Sequence, residues 1–190
     1  LSGGNDGLAL LANALATGAV LVVLITILSP LSGAHFNPVV SAVMAARRDL
    51  ALADVAPYLF AQCAGGVAGA VLANLMFDLP GVQIAATLRG GAGQWLSEGI
   101  ATFTLVGVIL GGIRHAPQSV PWLVGLTITG AYWFTASTSF ANPAVTIART
   151  LSDTFAGIAP SGVPAFVLVQ SAGGALAAVF WGWLFAPRPT

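Results

Sequence analysis

From Gly7 to Leu28 the chain carries no charged residue, and this run constrains the fold more than any other feature. About 20 apolar residues let a helix cross a bilayer, where every backbone polar group must find its partner inside the protein. Outside a closed barrel, only helices meet that condition. Val55–Phe77, Gln94–Ile113, Trp122–Ala136 and Val163–Ala186 are further apolar stretches between short polar connectors. Of 190 residues 57% are apolar and only 6% charged. An average soluble domain has about 25% charged residues. So few charges could not cover a soluble surface, and the expected class is an all-α membrane protein with five spans.

The formal net charge is zero, which gives no reason to expect a nucleic-acid partner. Cys63 is the only cysteine, so no internal disulfide can form. The first apolar run is too long for a cleavable signal and has no basic residue before it. Arg47, Arg48, Arg114 and Arg188 fall in one set of alternate connectors, Arg89 and Arg149 in the other. The first set therefore marks the expected cytoplasmic side. Asn13 and Thr17 lie one turn apart and form a polar stripe on the first span; Thr17 could equally bond back to its own preceding turn. Glu98 interrupts the third span, where an ionisable group is either paired or functional, unless it reaches outward to the surface from so near the end. Gly65 and Gly69, four apart on the second span, would let another helix approach closely.

Two short segments do not read as spans. Ser137–Arg149 contains Asn142-Pro143-Ala144, and Ser29–Met44 contains Asn37-Pro38-Val39. Asparagine is a favoured helix N-cap, and proline suits the first helical position because its missing N–H would be unpaired there anyway. Each segment therefore opens a short helix. Ser29–Met44 is too short to cross and is broken by Pro30, Gly33, His35 and Pro38. It reads as a re-entrant loop, tolerated at membrane depth only where protein or a water-filled cavity surrounds it.

The resemblance between the halves goes further. Ala61-Gln62-Cys63-Ala64-Gly65-Gly66 is answered by Val169-Gln170-Ser171-Ala172-Gly173-Gly174. The offset is 142 − 37 = 105 for the asparagines and 170 − 62 = 108 for the glutamines, a duplication with a small insertion. An odd number of spans separates the copies, so they are expected to have opposite orientations in the membrane. The expected organisation is one domain over residues 1–190, with repeats at about 1–80 and 94–186. Glu98 precedes Asn142 by 44 residues, and the same step back from Asn37 falls before residue 1. Within this chain the first repeat is thus expected to lack its opening span.

These residues resemble a known family, the aquaporins and glycerol facilitators or major intrinsic proteins. The resemblance rests on Ser32-Gly-Ala-His-Phe-Asn-Pro-Val, Asn142-Pro-Ala, the paired Gln-x-x-Gly-Gly motifs and Glu98. Val39 stands where the family usually has alanine. The resemblance implies two half-helices meeting N-terminus to N-terminus at the bilayer midplane, where their dipoles repel cations. Each Asn oxygen would cap its helix and leave the NH₂ donors facing the lumen, so that passing water cannot form a proton-conducting chain. It also implies a homotetramer in a bacterial cell membrane, with no cofactor or metal.

Carried over by position, the family's selectivity constriction falls on Thr17, Tyr132, Ser139 and Val145. Val145 stands where the family usually has arginine. Thr17 and Val145 imply a wide, weakly polar constriction suited to water, glycerol, urea and undissociated metalloid acids such as arsenous acid. His35 is expected to be a structural hydrogen-bonder. Arg149, one turn beyond Val145, is expected either at the mouth of the lumen or paired with Asp153 or the headgroups. A structural or junctional membrane protein with little conductance is the alternative reading. An intramembrane enzyme is a third, but His35, Ser41, Glu98 and His115 show no catalytic spacing.

Overall fold

The computed structural model describes residues 2–186, so Arg188 lies outside the described residues. The regular elements are helices: α1 (Asp6–Ser32), α2 (Pro38–Ala46), α3 (Leu52–Met76), α4 (Ala92–His115), α5 (Val120–Phe134), α6 (Pro143–Ala148) and α7 (Val163–Leu184). Among the described residues there is no strand. Four helices, α1, α3, α4 and the one ending at Leu184, are long and apolar enough to cross a membrane.

The stretch Trp122–Ala136, expected as a span, differs. Its helix α5 has 15 residues. At 1.5 Å per residue that is about 22 Å, short of the hydrocarbon thickness of about 30 Å. The helix stops because Thr135 turns extended, at φ −113° and ψ 140°. Its hydroxyl then donates to the Ala131 carbonyl at 2.7 Å, occupying an acceptor at the helix end.

The long helices pair as α1 with α5 and α4 with α7, while α2 and α6 lie among α3, α7 and each other. The α1–α5 crossing depends on two glycines. A Cβ on Gly18 would lie 2.9 Å from the Gly125 carbonyl oxygen, and one on Gly125 would lie 2.7 Å from the Gly18 carbonyl oxygen. No side chain fits between backbones that close. On α7, Gly173 has the same relation to the Gly99 backbone of α4. The expected pair on α3 behaves otherwise: a Cβ on Gly65 or Gly69 would meet nothing within 4 Å. The neighbouring Gly66 makes the close approach instead, facing Ala144 and Ala148 of α6.

The connector between α3 and α4 is not free coil. Gln83 and Ala85 donate their amides to the Leu151 and Thr150 carbonyls, and Ala159 donates to Thr87. Residues 79–91 are thereby laid over the segment that follows α6.

Candidate functional site

The two Asn-Pro segments repeat each other in backbone detail. Ala34 and Phe36 in the first have φ of 48° and 50°, and Ser139 and Ala141 in the second both have φ of 48°. These are left-handed conformations at the same distance before each asparagine, uncommon for residues with a side chain. Such strain persists where the surroundings over-determine the backbone, and here hydrogen bonds do so. Asn37 Oδ1 accepts the Val39 amide at 3.0 Å, and Asn142 Oδ1 accepts the Ala144 and Val145 amides at 2.9 and 3.4 Å. Pro38 and Pro143 occupy the first turn of each helix, as the sequence predicts.

The amide nitrogens are less free than expected. Asn37 Nδ2 donates to the Ala141 carbonyl at 2.7 Å, and Asn142 Nδ2 donates to the Phe36 carbonyl at 2.8 Å. Each asparagine thus caps its own helix and grips the residue just before the other asparagine. One hydrogen of each NH₂ is used in this exchange, which leaves one for any other partner. The exchange also fixes the two helix N-termini against each other.

Glu98 holds the second segment from behind. It is fully buried, so the reading in which it reaches outward to the surface does not hold. Its Oε1 accepts the Phe140 amide and its Oε2 the Ala141 amide, both at 2.8 Å. Gln170 Nε2 gives the carboxylate its third bond, to Oε2 at 2.6 Å, and also donates to Thr146 Oγ1 at 2.9 Å. The left-handed turns direct these loop amides away from any helical acceptor, and a carboxylate is the strongest acceptor available for both. In the first repeat, Gln62 Nε2 donates to Ser41 Oγ at 2.8 Å, and His35 Nδ1 lies 3.1 Å from the same hydroxyl. His35 therefore bonds within its own segment.

A cavity of about 860 Å³ lies within the bundle. Successive turns of α1 supply Thr17, Leu21, Ile25 and Ser29, and α5 supplies Val124, Ile128 and Tyr132. Asn37 and Asn142 both line it, together with His35, Ser139, Val145 and Arg149. All four positions carried over as a constriction, Thr17, Tyr132, Ser139 and Val145, therefore share one cavity. Pro38, Val39, Pro143 and Ala144 are buried in the helix starts behind it. Thr17 does not bond back to its own backbone turn. Its Oγ1 lies 3.3 Å from the Tyr132 hydroxyl and donates to Asn13 Oδ1 at 3.4 Å.

Arg149 donates from Nη2 to the Tyr132 hydroxyl at 2.8 Å, and its guanidinium carbon stands 4.3 Å from the Phe140 ring centre. Asp153 is not its partner: no ion pair joins the two, and Asp153 Oδ1 accepts the Ala86 amide at 2.9 Å. On Phe140, 5.1 Å from its centre, lies a second guanidinium that sequence reasoning misses, Arg89. Arg89 donates to the carbonyls of Gly157, Ser137 and Phe155 at 2.7, 3.1 and 2.9 Å. Burial, aided by the nearby charge of Arg149, lowers its pKa from the ordinary arginine value, while Glu98 and Tyr132 oppose the shift. A lone cation in a connector whose only other charge is Asp78 is the one sequence signal for this role.

A family model described as Major intrinsic protein matches residues 2–133. The chain is 57% identical to the aquaglyceroporin AqpS of Rhizobium meliloti (strain 1021) over 186 residues, 97% of this chain and 80% of that protein. It is 31% identical to the aquaporin AqpM of Methanothermobacter thermautotrophicus over 188 residues, 90% of this chain and 75% of that protein. Similarity to a probable aquaporin PIP2-8 of Oryza sativa is 32% over 143 residues, 66% of this chain and 50% of that protein. The chain belongs to the major intrinsic protein family, whose members are multi-pass membrane channels and not enzymes.

Proposed function

We propose that this protein is a passive channel for water and small uncharged solutes, with the 860 Å³ cavity as its path. The observation that carries the reading is the reciprocal grip of Asn37 and Asn142, which sets two helix N-termini face to face on one cavity. Each N-terminus has unpaired N–H groups and about half a positive charge, which disfavours cations between them. α2 and α6 act as re-entrant half-helices, α5 together with the 3-10 turn Pro117–Ser119 directly before it completes a fifth crossing, and the assembled protein is a homotetramer. In this reading Thr17, Tyr132, Ser139 and Val145 form the narrowest region, with Tyr132 drawn aside by Thr17 and Arg149.

With valine in place of a cationic side chain, the narrow region is wide and only weakly polar. That suits glycerol, urea and undissociated metalloid acids such as arsenous acid. The 57% identity to a protein named an aquaglyceroporin supports this solute class. Liposomes bearing the full-length protein should swell in isotonic glycerol and urea faster than protein-free liposomes, and not in isotonic sorbitol or sucrose. Swelling no faster than protein-free liposomes in every solute would exclude the channel.

A further inference from the structure

Three ionised side chains line the cavity: Arg47, Asp49 and Arg149. At one end Arg47 Nε pairs with Asp49 Oδ2 at 3.0 Å, the one salt bridge among the described residues. At the other end Arg149 has no such partner. Asp153 is committed to the Ala86 amide, and the oxygens of Glu98 accept Phe140, Ala141 and Gln170. A guanidinium does not deprotonate in proteins, so its charge is permanent. Its position is also fixed, by the Tyr132 hydroxyl at 2.8 Å and by the face of Phe140, where such contacts hold a cation in place. Beside it the Ser139 hydroxyl, in a residue only 2% exposed, and Arg149 Nη1 are buried without a hydrogen-bond partner.

We propose that Arg149 is a specificity-determining residue of the permeation path, a fixed cation anchored on Tyr132 and Phe140 one helical turn beyond Val145. It bars small monovalent cations and leaves the way open to neutral hydroxylated solutes. The inference rests on the channel reading above. A charge set in low-dielectric walls acts across the whole mouth, whereas a polyol presents only dipoles to it. Arg89 does not share the role, because it is tied to three loop carbonyls and does not line the cavity.

The test reads the local potential directly. In full-length protein with Cys63→Ser, a Val145→Cys thiol is offered an anionic and a cationic methanethiosulfonate of similar size. The expected result is about a tenfold preference for the anionic reagent that shrinks as salt screens the charge over about 8–10 Å. Arg149→Lys should keep the preference and Arg149→Gln should abolish it. In planar bilayers Arg149→Gln should also raise the ammonium leak above that of the parent, while its liposomes still swell in glycerol faster than protein-free ones. A preference that is absent at every salt concentration, or that survives Arg149→Gln, would overturn the proposal. Where Arg149→Gln fails to fold, the salt series on protein retaining Arg149 still decides between the two outcomes. Absence of glycerol swelling in the parent is a separate result, which sinks the channel reading itself.

Discussion

Glu98 Oε2 accepts the Ala141 amide at 2.8 Å, and the Ala141 carbonyl in turn accepts Asn37 Nδ2 at 2.7 Å. One residue thus carries a buried carboxylate on α4 through to the helix cap of the opposite repeat. Its order depends on Glu98 being an acceptor on both oxygens. Replacing the carboxylate by an amide, Glu98→Gln, sets an NH₂ donor against a loop N–H. Each buried N–H left unpaired costs about 1–3 kcal/mol. Thermal unfolding in detergent should show Glu98→Gln clearly destabilised, and Glu98→Ala at least as much.

Asn142 separates capping from cross-loop bonding. Asn142→Asp keeps an oxygen for the Ala144 amide but loses the donor to the Phe36 carbonyl, placing negative charge against that oxygen. A loss of about 1–3 kcal/mol is expected, since the Phe36 carbonyl is left without its donor and faces an introduced charge. Asn142→Ser, which retains a capping hydroxyl but cannot reach across, should lose less. Equal unfolding temperatures for Asn142→Asp and the parent would show that the cross-loop bond contributes nothing.

The α1–α5 crossing is tested at Gly125. Its Cβ would stand 2.7 Å from the Gly18 carbonyl oxygen and close to Val22 Cγ2. Gly125→Ala should cost about 1–3 kcal/mol through overpacking, and Gly125→Leu should prevent assembly. Gly65→Ala on α3, whose Cβ meets nothing within 4 Å, provides the contrast. Within the described chain it should be tolerated and gain slightly from the better helix propensity of alanine.

What is legible in the sequence is local or periodic. The N-caps at Asn37 and Asn142 follow from two adjacent residues, and the long helices follow from uncharged runs. Glu98 stands out as an ionisable group in a span, but its partners lie 42, 43 and 72 residues away and no spacing rule names them. Arg89 is hidden for the same reason: its three acceptors are backbone carbonyls 48 to 68 residues away, and any residue type supplies those. The end of α5 is not legible because the apolar stretch runs on to Ala136, while the helix stops where the backbone turns extended at Thr135. Gly65 and Gly69 have the right spacing for close packing, yet a spacing rule cannot say which face a neighbouring helix takes.

The most direct test of conduction through this cavity is the pair of glycerol and water permeabilities of full-length protein in liposomes, measured for the parent and for Val145→Arg. Arginine puts a long planar cation with five donors where a small apolar side chain now lines the same cavity as Thr17, Tyr132 and Ser139. The account expects glycerol permeability to fall by about tenfold or more, the effect of a barrier raised by about 1.4 kcal/mol, with water permeability falling far less. Equal loss of both, or no change in either, in a variant that folds and inserts normally would contradict a solute path past Val145.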